Sequence, residues 1–134
     1  MINTKFEALN TKQILITEIP KSKQYDLEER TMEFAARVRE YVKKLPKNIT
    51  NIEMGRQLFR AAGSVGANYI EANEALSKRD FVMRVKISKK ESKESCYWLT
   101  LSEPQAEHEK EKGLLIQEAT ELMKIFGAIL EKCN

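Results

Sequence analysis

Two cysteines, one histidine, one tryptophan and three prolines in 134 residues leave little material for several common ways of bracing a fold or running a reaction. Cys96 and Cys133 stand far apart, with no C-x-x-C spacing and no histidine-rich partner. That excludes a disulfide framework and a zinc centre, and it reads as reduced thiols in a cytoplasmic protein. The longest apolar stretch near the start, Ile14-Leu15-Ile16, gives way at once to Thr17 and Glu18. Nothing there resembles a signal-peptide core or a membrane span of about 20 apolar residues. Phosphate-loop, dinucleotide-loop, zinc-protease and serine-hydrolase motifs are all missing. His108 lies between Glu107 and Glu109 with no companion base and no second metal ligand nearby, so it reads as a solvated loop histidine. No catalytic residue, metal or cofactor is expected, and an enzyme is disfavoured.

What remains is a chain rich in helix formers. With only five glycines, it should build long helices joined by short loops, an all-α, up-down-up-down four-helix bundle in one domain over 25–134. Leu27, Thr31, Phe34, Val38, Tyr41, Val42 and Leu45 recur at steps of three and four and predict a first helix from about Asp26 to Leu45, ended by Pro46. Thr50-Asn-Ile-Glu53 fits a capping box for a second helix running to about Leu76. Ser77 offers a cap for a third, from Lys78 to about Glu103, before Pro104. Residues 104–112 read as a polar loop, and Leu115, Ala119, Leu122, Phe126, Ile129 and Leu130 set out a fourth helix ending near Lys132. Residues 1–24 show no clear period; they form an arm or a tail, with Ile14 to Ile19 as a short strand or a segment laid on a neighbouring subunit.

The second helix carries more apolar surface than one bundle face needs. Leu58, Ala62, Val65, Tyr69, Ala72 and Leu76 form a core stripe, and Phe59, Gly63, Gly66 and Ile70 form another about a third of a turn away. No charge falls between Ala61 and Ile70. Subunit association would bury the second stripe; a tightly packed monomer is the alternative. Ser64, Asn68 and Glu71 also align, facing Ser88, Ser92 and Ser95 on the third helix. They read as a hydrogen-bonded polar layer that fixes register, with a binding or catalytic pocket around Asn68 and Glu71 as the competing reading.

Net charge is +3, distributed as +2 over residues 1–53, +4 over 54–98 and −3 over 99–134. On the third helix Arg79, Lys86, Lys90, Lys93 and Tyr97 project roughly opposite to Phe81, Val85, Ser92 and Leu99, with Met83 among them. Such a line can track a phosphate backbone and stack a base, or it can be a solvated face on which Glu91 and Glu94 pair with the nearby lysines.

One segment carries a specific likeness. Ser64-Val-Gly-Ala-Asn-Tyr-Ile-Glu-Ala72, then Asp80-Phe81, then Glu91-Ser-Lys-Glu-Ser-Cys-Tyr-Trp-Leu99 fall in the order and spacing of a bacterial four-helix-bundle family. The chain resembles that family, whose genes occur inside intervening sequences of 23S ribosomal RNA and whose relatives include accessory proteins of diversity-generating retroelements. The resemblance covers about residues 25 to 132. It implies a homo-oligomer, a ring-like pentamer, with RNA or a reverse transcriptase as candidate partners and no membrane. The expected function is a non-enzymatic assembly protein that binds RNA or a ribonucleoprotein through its basic surface. The alternative is a purely structural or protein-binding scaffold without nucleic-acid affinity.

Overall fold

The computed structural model describes residues 26–134, so the readings placed on residues 1–24 lie outside it. Four helices follow one another: α1 (Leu27–Lys43), α2 (Ile49–Asn73), α3 (Lys78–Leu101) and α4 (Glu109–Lys132), the last entered through a short 3-10 turn, Ala106–His108. No strand occurs among the described residues. The helices form a four-helix bundle in which α2 packs on α3, α3 on α4, and α1 closes the bundle mainly against α2 and less against α4.

Local chemistry sets the boundaries. Asp26 caps α1 by accepting the Glu28 amide at 2.7 Å. Asn48, two residues before the expected Thr50, caps α2 by accepting the Asn51 amide at 2.9 Å. The Thr50 hydroxyl instead donates to Asn48 Oδ1 at 3.0 Å, reinforcing that cap. Asn51 is turned inward, where its side-chain amide donates to the carbonyls of Pro46 and Glu103 and ties the α1–α2 loop to the end of α3. Ser77 caps α3 as expected, accepting the Asp80 amide at 3.1 Å.

Two expectations about length are corrected. α2 ends at Asn73, which leaves Leu76 in the connection to α3 and 88% exposed, out of the core stripe assigned to it. α4 begins at Glu109, inside the stretch read as loop, because Glu109 and Glu111 favour the positive end of a helix even without an apolar period.

The core is the intersection of the four predicted stripes. Leu27, Phe34, Val38, Tyr41, Leu58, Val65, Tyr69, Phe81, Val85, Leu99, Leu115, Leu122, Phe126 and Ile129 are all buried. Tyr69 and Phe126 meet within it, ring centroids 5.7 Å apart. A charged side chain joins them from α1. Arg30, 3% exposed, donates Nε and Nη2 to both oxygens of Glu118 at 2.8 Å and Nη2 to Glu121 at 3.0 Å, clamping α1 to α4. These hydrogen bonds hold its guanidinium pKa above its ordinary value, against the opposing effect of burial.

Candidate nucleic-acid interface

Ser88, Ser92 and Ser95 are buried where α3 meets its neighbours, and small side chains there let the helices approach closely. Their hydroxyls are satisfied by backbone: Ser88 donates to the Val65 carbonyl of α2 at 2.9 Å, Ser92 to Ser88 and Ser95 to Glu91. Ser64 and Asn68 sit apart from this run, half-buried at its edge. The Asn68 amide nitrogen donates to the Ser64 carbonyl and hydroxyl at 2.9 Å, and its oxygen accepts from Arg84 of α3 at 3.1 Å. Glu71 is exposed. The single layer expected from Ser64, Asn68, Glu71, Ser88 and Ser92 is therefore two separate arrangements without Glu71. The hydroxyl-to-backbone bonds use up the serines that were expected to face Asn68.

With the serines turned inward, the opposite side of α3 faces out. Arg79, Lys86, Lys90 and Lys93 are exposed, and Tyr97 is 58% exposed on the same line, with Met83 between them. At about 100° per residue these positions span less than a quarter of the helix circumference. Near the start of this line, Arg79, Met83 and Lys86 border a depression of about 530 Å³. The Tyr97 ring stands edge-on to Trp98, centroids 5.0 Å apart and planes 77° apart, which fixes it while much of the side chain stays open.

The neighbouring carboxylates do not neutralise this line. Glu91, buried, accepts from Arg60 of α2 at 3.4 Å. Glu94 also pairs with Arg60 and accepts from the Trp98 indole at 3.1 Å. The intrahelical lysine pairing expected for these two acids is thus replaced by a cross-helix pair. Their positions turn them toward α2, where one guanidinium serves both. Among the described residues, Arg79, Lys86, Lys90 and Lys93 enter no ion pair. Arg60 was the residue that sequence reasoning passed over. Its signal was its place at the start of an otherwise uncharged stretch, facing two acids a turn apart.

Of the second apolar stripe on α2, Phe59 (47%) and Ile70 (48%) are exposed, and nothing lies within 4 Å of where a Gly63 side chain would begin. Gly66 is different: it is buried against Thr31 of α1, so its missing side chain serves contact within the subunit. His108 is half-buried, not solvated, and its Nδ1 has no hydrogen-bond partner among the described residues. No cluster of three potential metal ligands occurs among them, and no described helix is long and apolar enough to cross a membrane.

Fold and surface together define a small helical bundle with an open basic helix face. The sequence profile of the 23S rRNA-intervening sequence protein family matches residues 23–128, and the chain belongs to that family. A crystal structure of a protein of unknown function from the S23 ribosomal protein family of Bacteroides thetaiotaomicron is similar, at 30% identity and a TM-score of 0.67 over 78% of this chain and 94% of that one. No curated protein matches.

Proposed function

We propose that the protein is a non-enzymatic, homo-oligomeric RNA-binding protein whose α3 face takes the phosphate backbone of structured RNA or of a ribonucleoprotein. The observation that carries this reading is the line Arg79, Lys86, Lys90, Lys93, which enters no ion pair among the described residues, beside acids already committed to Arg60. Long cationic side chains free of carboxylates exchange condensed counterions for phosphate contacts, and an open tyrosine face adds sequence-tolerant stacking. The family's link to ribosomal RNA intervening sequences agrees with an RNA ligand. Phe59 and Ile70 supply apolar surface for subunit contact, and symmetric repetition multiplies the basic face; the resemblance puts the subunit number at five. Binding of a structured RNA by the wild-type chain and by a Lys86→Glu, Lys90→Glu, Lys93→Glu variant tests the reading. The variant should lose binding while keeping its helical content and oligomer mass. If wild type binds no RNA, the α2 stripe and the scaffold reading are what remain.

A further inference from the structure

Between α1 and α2 runs an open apolar groove of about 730 Å³. Thr31, Ala35, Gly63 and Ala67 line its floor and sides, and Met32 (66% exposed) and Ile70 stand at its edges. Asp26, Glu28 and Glu29 line one end. An apolar trough of this size beside small residues is a seat for side chains from elsewhere.

The chain itself supplies a matching segment. Twenty-five residues precede Asp26, and Asp26 is itself part of the groove wall, so they arrive at the groove's acidic end. They hold one concentrated aliphatic run, Ile14-Leu15-Ile16 with Ile19, followed by Pro20-Lys21-Ser22-Lys23. The order fits the groove: cations next to the carboxylate end, aliphatics farther along. Reach is sufficient. The chain from Ile19 to Asp26 can span up to about 23 Å when extended. The helix from Asp26 to Ala35 covers only about 13 Å. Tethering also gives this segment an effective concentration of the order of millimolar at the groove, well above that of a separate copy at ordinary protein concentrations.

We propose that the segment Ile14–Ile19 of the same chain docks in the α1–α2 groove, with Lys21 and Lys23 against Asp26, Glu28 and Glu29. This docking is independent of the assembly reading above. The face offered to a second subunit then carries the segment at the Asp26 end and bare helix at Phe59.

Disulfide trapping in the full-length chain tests this. In a Cys96→Ser, Cys133→Ser background, Leu15→Cys or Ile16→Cys is combined with Ala67→Cys and mildly oxidised. A bridge within one chain, migrating at monomer mass on a non-reducing denaturing gel, is the expected result. A bridge only between chains assigns the groove to a neighbour's segment and overturns the proposal. So does the absence of any bridge from both positions, once maleimide labelling shows that the thiol introduced by Ala67→Cys is reactive. Light scattering on the unbridged protein reports assembly separately: an intrachain bridge in a monomeric protein upholds the docking and removes only the assembly reading.

Discussion

Thr31 packs against the bare backbone of Gly66: a methyl built on that glycine would stand 2.9 Å from Thr31 Oγ1 and 3.2 Å from its Cβ. Thr31 cannot swing away cheaply, because its hydroxyl donates to the Glu28 carbonyl at 2.9 Å. Gly66→Ala should therefore destabilise the chain by about 1–3 kcal/mol in urea unfolding. Gly113 in α4 has nothing within 4 Å, so Gly113→Ala should stabilise by about 0.5–1 kcal/mol. Equal effects at the two positions would contradict the close contact of α1 with α2.

Arg30 is buried on the core side of α1, and its removal leaves Glu118, 15% exposed, without its two-pronged partner. Arg30→Met should cost about 3 kcal/mol, at the low end for a broken buried pair because Glu121 is 31% exposed. Adding Glu118→Gln should return part of that loss. Strict additivity of the two changes in a double-mutant cycle would argue against the clamp.

The phenols of Tyr41 and Tyr69 should make the fold sensitive to alkali. Burial pushes both pKa values up from the ordinary 10.0, opposed at Tyr41 by the hydrogen bond with Ser102. In the unfolded chain these groups lose their protons near pH 10, while in the folded chain they keep them to higher pH. Above about pH 10 the folded state thus binds more protons than the unfolded one, and stability falls as pH rises. The stabilisation is complete below about pH 10 and is lost as pH climbs through the folded values. Tyr41→Phe should flatten this decline in thermal melts taken across alkaline pH; an unchanged slope for both Tyr41→Phe and Tyr69→Phe would contradict the burial effect.

Subunit contact through α2 is best tested at Phe59. Wild type should scatter light as a particle several times the 15.5 kDa chain mass, and Phe59→Glu should lower that mass without loss of helical signal. Gly66 is unsuitable for this test, because a large side chain there breaks the subunit itself. A monomeric wild type at micromolar concentration would remove the assembly reading.

Arg60 makes an indirect probe of the basic line. Arg60→Gln releases Glu91 and Glu94 beside Lys90 and Lys93 without altering any residue of the line. RNA affinity should fall several-fold in a filter-binding titration at low salt, with the helical signal retained. Unchanged affinity would mean that the paired acids do not shape the surface.

The bundle was legible because each helix writes its buried face at steps of three and four, and the stripes through Phe34, Leu58, Val85 and Leu122 all close on one core. Features that depend on distant partners were not. Arg30 looks like a surface residue until Glu118, 88 positions away, is brought beside it. Leu76 fits the α2 period but lies past the turn that ends the helix, since periodicity does not mark where hydrogen bonding stops. Within the candidate interface, the exposure of Arg79, Lys86, Lys90, Lys93 and Tyr97 follows from their angle on α3. Their freedom from carboxylates depends on Arg60, whose approach to Glu94 only packing reveals.

The measurement that bears most directly on the proposed function is the salt dependence of RNA binding by the intact protein, titrated with a pool of structured RNA between about 50 and 200 mM salt. If the four cations of α3 each neutralise a phosphate, log Kobs should fall against log salt with a slope of about −3 per subunit engaged, with little preference among sequences. Replacing Lys86, Lys90 and Lys93 together by Glu should abolish the binding at every salt concentration. Absence of wild-type binding at the lower salt, or binding that survives the triple replacement, would contradict the account.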